Sequence, residues 1–223
     1  MHSPITRAYQ LMREHHGHQA WWPGETPFEI CVGAILTQNT NWTNVEKAIE
    51  NLKKAKALDL RVVKQLSNAD LAELIRPAGY YNLKAARLKS FVGAIDRDFD
   101  LKLEKLLILP TERLRETLLE INGIGPETAD SIILYAAQQS SFVVDAYTKR
   151  IFSRHHWIQE NASYDEVKSL CEQNLAAPPR DQSLLDYWQD YHAQLVAIGK
   201  DYCRPRSPRC QECPLQPLLQ EPA

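Results

Sequence analysis

Apolar residues recur at helical spacing along most of this chain. Phe28, Val32, Ile35 and Leu36 form one stripe, and Val45, Ala48, Ile49 and Leu52 form another. Both follow the three-and-four interval that lines one face of an α-helix. Leu114, Leu118 and Leu119 lead into a glycine-containing turn, and Ile132, Ile133, Tyr135 and Ala136 continue beyond it. Tyr187, Tyr191, Leu195 and Ile198 make a late stripe. Ser67 ahead of Asp70-Leu71 and Thr111 ahead of Arg113 read as helix caps. The best strand signal, Phe142-Val143-Val144, is too short to build a sheet. Trp21-Trp22-Pro23-Gly24 reads as the end of an N-terminal helix and Arg76-Pro77-Ala78-Gly79 as a turn. Ala177-Pro178-Pro179-Arg180 sets off a C-terminal helix. The pattern predicts an all-α protein, with Pro214 onward lying along the surface.

Composition adds little that is specific. At 223 residues, 44% hydrophobic and 24% charged, the chain has the balance of a globular protein with room for one or two cores. No apolar run approaches the ~20 residues that span a bilayer. The N-terminus lacks the order of a secretion signal, so cytoplasmic residence is the expectation. A net charge of −2 is not that of a protein gripping nucleic acid by bulk charge. Any such function rests on local patches and backbone donors.

Two glycines fall in Ile121-Asn122-Gly123-Ile124-Gly125, between two helical stretches. Gly123 and Gly125 allow a tight turn that exposes backbone N–H groups, a seat for phosphate at the start of the next helix. By itself this also describes a simple interhelical turn. The next helix opens Pro126-Glu127-Thr128-Ala129-Asp130, and twenty residues past Gly125 comes Val143-Val144-Asp145. Together these segments resemble the helix-hairpin-helix and Gly/Pro-Asp signature of the endonuclease III superfamily of DNA glycosylases. The resemblance implies that Gly123, Gly125 and Thr128 hold DNA and that Asp145 is the catalytic carboxylate. Cleavage of an N-glycosidic bond develops positive charge on the sugar, which a carboxylate stabilises or meets with a positioned water. The plainer role for Asp145 is a helix N-cap, and both roles are compatible. Bifunctional members carry a lysine where this chain has Glu127. A carboxylate cannot form a Schiff base, so the resemblance implies a water nucleophile and no imine-based lyase step.

Further segments extend the likeness. Phe28 to Asn44 resembles a helix pair in which Gln38 and Asn39 fill the gap left by an extruded nucleotide, a requirement of base flipping. Trp21, Trp22 and Pro23, with Trp42 just past Gln38-Asn39-Thr40, are closest to the 3-methyladenine DNA glycosylase III branch. There the aromatic at the Trp42 position stacks on the flipped alkylated base. Stacking contributes roughly 1–3 kcal/mol per base, and a cationic base gains cation–π attraction. With Glu127, these residues make the expected base pocket. Tyr80-Tyr81-Asn82-Leu83-Lys84-Ala85 resembles another superfamily block, with Tyr80 as duplex wedge and Lys84 reaching a phosphate. Arg87 and Lys89 read as a solvated helix face.

Of five cysteines, Cys203, Cys210 and Cys213 are clustered. Their spacing resembles the first three ligands of the superfamily's C-terminal 4Fe-4S motif, while the fourth position falls on Leu219. Three readings stay open: a cluster with another fourth ligand such as Cys171 or solvent, a zinc ion completed by histidine or water, or no metal. The cluster is the favoured expectation. Arg204, Arg206 and Arg209 lie in this loop, which in the superfamily meets DNA phosphates.

The resemblance runs from about Trp21 to Cys213. It implies a two-lobed all-α helix-hairpin-helix glycosylase fold with the DNA cleft between lobes. One lobe spans 23–133; the other joins 1–22 to 134–223. The expected activity is monofunctional excision of alkylated purines such as 3-methyladenine from damaged double-stranded DNA, by a monomer without membrane association. Alternatives are a glycosylase for oxidised, deaminated or mismatched bases, or a non-catalytic damage-binding module.

Overall fold

The computed structural model describes residues 3–21 and 24–219, so Trp22 and Pro23 of the expected base pocket lie outside it. All regular structure among the described residues is helical, without a strand. The chain divides into two compact units, Trp22–Gln139 and a second made of Met1–Trp21 with Ser140–Ala223.

The central unit holds α2 (Pro27–Leu36), α3 (Trp42–Lys54), α4 (Leu60–Gln65), α5 (Asn68–Leu74), α6 (Tyr81–Phe99), α7 (Leu103–Leu107), α8 (Thr111–Leu119) and α9 (Pro126–Ser131). The stripes read from the sequence form its core: Val32, Ile35, Leu36, Val45, Ala48 and Leu52 are fully buried. Ser67 caps α5 by accepting the Asp70 N–H. Thr111 does not cap α8; its hydroxyl donates to Gln139 Oε1 at 2.6 Å, and Pro110 occupies the cap position. Tertiary bonding here displaces the local cap that the sequence suggested. Past α9, Ile132–Ala136 form a π-turn, all buried.

Two lysines are structural. Lys84, 1% exposed, donates from Nζ to the carbonyls of Leu36 (2.9 Å) and Ala78 (2.7 Å). It ties the C-terminus of α2, whose last carbonyls lack helical partners, to the turn before α6. Burial, with Arg87 nearby, pulls its amine down to about 8. The expectation of a phosphate contact at Lys84 is therefore corrected: its donors are committed inside the core. Lys89 likewise serves the carbonyls of Val63, Lys64 and Leu66 at the end of α4.

The second unit holds α1 (Pro4–His16), α10 (Ala146–Arg154), α11 (Tyr164–Asn174) and α12 (Leu184–Asp201). Helix α1 stops at Gly17, with φ +70°, earlier than the Trp-Trp-Pro-Gly signal suggested. Phe142, Val143 and Val144 are buried in backbone with no regular secondary structure. Side chains replace the missing strand partners: the Phe142 N–H donates to Glu172 Oε1 and the Val144 N–H to Tyr164 Oη.

Helices α10 and α12 approach closely at Gly199, where a Cβ would lie 2.1 Å from Cδ1 of Tyr147. Gly199→Ala is expected to destabilise the protein by about 1–3 kcal/mol through overpacking. Urea denaturation, read as a lowered midpoint at constant slope, checks this.

Candidate active site

Asp145 is the N-cap of α10, and its two oxygens have different partners. Oδ1 accepts the Thr148 N–H at 2.7 Å and the Thr148 hydroxyl at 2.9 Å. Oδ2 faces His192 Nε2 of α12 at 3.5 Å, the outer limit of a hydrogen bond, so the contact is chiefly electrostatic. The Asp145 side chain is 12% exposed, and the Trp21 ring lies 5.9 Å from the His192 ring. Burial pushes the Asp145 carboxyl up. The bonding and charge of His192, with the Thr148 donors, outweigh it and hold the group below the usual carboxylate range. An ionised carboxylate is thus kept in a largely dry setting, where its field on a nearby cation is strong. His192 was missed in the sequence because it lies 47 residues beyond Asp145 in a helix read only for its apolar stripe.

The hairpin of the central unit is braced by side chains. Gly123 has φ +92°, and a Cβ there would lie 2.3 Å from Arg87 Cγ. Gln38 Nε2 donates to Thr128 Oγ1 (2.8 Å) and to the Gly123 carbonyl (3.2 Å), while Arg87 Nη1 donates to Gln38 Oε1. Arg87 is therefore part of the hairpin's support and not a merely solvated face. Buried Asp130 pairs with Arg115 of α8 at 3.0 Å, fixing the two helices that flank the turn. Glu127 is exposed on the first turn of α9, and Gly125 is the N-cap of that helix.

Asn39 is exposed in left-handed backbone (φ +54°), a conformation asparagine tolerates. Tyr80 is 69% exposed and also left-handed (φ +46°), a strained placement for an aromatic residue. Trp42 begins α3, half-buried against the core, and Gly33 makes room for it: a Cβ at Gly33 would lie 3.2 Å from Trp42 Cη2. Its indole N–H donates to Glu46 at 3.0 Å.

In the second unit, Cys203, Cys210 and Cys213 line one recess partly open to solvent, and Leu219 and His155 share its wall. Cys171 is fully buried on α11 and is not part of that wall, which removes it as the remote ligand. Among the described residues no three His, Cys, Asp or Glu side chains converge on a single point to hold one metal ion. Arg204, Arg206 and Arg209 are exposed on the loop; Arg209 pairs with Glu212. Arg150 and Arg154 face inward, donating to the carbonyls of Cys203 (2.7 Å) and Arg204 (2.7 Å).

The chain carries a largely buried carboxylate capping a helix, a left-handed glycine hairpin and a three-cysteine loop, and comparison with known proteins gives it a family. The model of the HhH-GPD superfamily of base excision DNA repair proteins matches residues 32–177. The chain belongs to this superfamily. Membership makes it a base excision DNA glycosylase. It is 47% identical over 217 residues to a Methanocaldococcus jannaschii protein provisionally named a DNA repair glycosylase, covering 95% of this chain and 94% of that one. It is 34% identical to the solved H. pylori 3-methyladenine DNA glycosylase bound to 1,N6-ethenoadenine, with TM-score 0.77, covering 90% of this chain and 98% of the other. An endonuclease III–DNA complex, 21% identical with TM-score 0.80 over 99% of this chain and 96% of the other, shares the fold. No described helix of this HhH-GPD glycosylase is long and apolar enough to cross a membrane.

Removing His192 leaves burial less opposed at Asp145, so His192→Ala is expected to raise the carboxyl's pKa. The acid limb of the excision profile then moves to higher pH, as single-turnover rates against pH would show. Lys84→Met, which orphans two buried carbonyls, is expected to cost about 1–3 kcal/mol while leaving the salt dependence of DNA binding unchanged.

Proposed function

We propose that this glycosylase is monofunctional and excises alkylated purines, with Asp145 as its catalytic carboxylate and water as nucleophile. The observation that carries this reading is a carboxylate, Glu127, at the position where bifunctional members hold an amine, in a chain whose Asp145 is largely buried and ionised. The other amine weighed for that task, Lys149, has its Nζ donating to the Ala162 carbonyl at 3.0 Å, which supports the same reading. As the glycosidic bond lengthens, Asp145 opposes the positive charge growing on the sugar and orients the water that attacks it. The base leaves neutral if it was already cationic, so an alkylated purine needs little further acid catalysis.

Trp42 supports the substrate class. Its indole is fixed by Gly33 and Glu46, and a cationic purine stacked on it gains cation–π attraction. The Helicobacter relative, a 3-methyladenine glycosylase by name, points the same way. Gly123, Gly125 and Thr128 are assigned to the phosphate-holding hairpin, Gln38 and Asn39 to filling the vacated stack, Tyr80 to the wedge, and Arg204, Arg206 and Arg209 to backbone contact. Trp21 is assigned with Trp42 to the base pocket.

The three-cysteine cavity fits an iron–sulfur cluster better than a zinc ion. Zinc needs all its donors within ~2.0–2.3 Å of one point, whereas a 4Fe-4S cluster takes one ligand at each of several irons around a wider space. Cys203, Cys210 and Cys213 would hold it, and when bound it would supply a rigid cross-link for the basic loop.

On methylated duplex DNA the protein is expected to release 3-methyladenine, and Asp145→Asn to lower the rate by at least ~100-fold while binding persists. Borohydride is expected to trap no covalent complex with abasic DNA. Release of oxidised pyrimidines without methylated purines would overturn the substrate assignment. A trapped complex would overturn the monofunctional one.

A further inference from the structure

The cysteine loop lacks a thiol at position 219, yet a second donor type stands beside that position. His155 follows the last residue of α10 and is 6% exposed. It shares the cavity wall with all three cysteines and with Leu219. Its Nδ1 lies 3.3 Å from the carbonyl of Leu218, the residue immediately before the vacant ligand position. A carbonyl only accepts, so Nδ1 carries the proton and the lone pair sits on Nε2. A ring nitrogen donating to a backbone carbonyl is the usual support for an imidazole that binds metal through its other nitrogen. The ring is further oriented by Trp157, centroid to centroid 4.8 Å. Its neighbour Arg154 donates to Cys203 Sγ at 3.3 Å and to the carbonyls of Arg204 and Pro205. The end of α10 thus touches the loop at its first cysteine and beside its missing fourth.

We propose that His155 is the fourth protein ligand of the cluster, in place of a thiolate at position 219. This rests on the cluster reading given above. A neutral imidazole replacing an anionic thiolate leaves the cluster less negative and easier to reduce, the direction seen where histidine replaces cysteine at iron–sulfur centres.

The test uses the full chain, purified without oxygen and reconstituted with ferrous iron and sulfide. Wild-type protein is expected to be brown, with about four irons per chain. His155→Ala is expected to lose iron and visible absorbance. His155→Cys, and the double change His155→Ala with Leu219→Cys, are expected to restore both and to lower the reduction potential. The rescue variants separate ligation from folding, since each supplies a donor without restoring the imidazole. His155→Ala protein that keeps its iron, colour and potential would overturn the ligand assignment while leaving the cluster standing. Colourless, iron-free wild-type protein after reconstitution would overturn the cluster and this assignment together, while excision activity on methylated DNA would still test the glycosylase reading separately.

Discussion

The organisation of the second unit depends on one carboxylate that must start a helix and remain ionised while nearly dry. Asp145 meets both demands by division: one oxygen caps α10 through Thr148, and the other is left to the imidazole of His192. The two partners act on different properties. Without the cap the first turn of α10 loses its acceptor, and without the imidazole burial favours the protonated acid. Tight packing of α10 on α12 at Gly199 keeps the helices that carry the two groups in contact.

The same short helix serves a second purpose at its other end. Arg150, Arg154 and His155 bond the backbone of the cysteine loop, so nine residues, about 13 Å of helix, join the carboxylate to the three thiols. The loop has a set position through protein bonding even before any metal is considered. A metal bound there would reinforce an arrangement that α10 already imposes.

Much of this was legible in the chain itself. Helical stripes gave the core of the central unit because burial follows periodicity directly, as at Val45, Ala48 and Leu52. Gly123 was legible because only glycine enters that backbone region freely, and Asp145 because an aspartate after two valines suits a cap. What escaped were pairings across long sequence separations. His192 has no local mark, and Arg87 and Lys89 read as surface because their partners lie in other elements. Lys84 was misplaced for a related reason: a lysine flanked by Leu83 and Ala85 carries no local sign that carbonyls of other elements await its amine in the core. Thr111 shows the converse, a good local cap drawn off by Gln139.

The disposition of these cations bears on how the enzyme moves over undamaged genome. Lys84, Lys89, Arg150 and Arg154 all donate to internal carbonyls, in a chain whose net charge is already −2. Each cation so committed is one fewer to displace counterions from a duplex, and counterion release supplies nearly all non-specific affinity. Fewer free cations weaken the sequence-independent part of any hold on a duplex, which leaves more of the discrimination to whether a base leaves the stack. A cation spent inside the fold is thus also a choice about how little of the duplex is gripped before a base is tested.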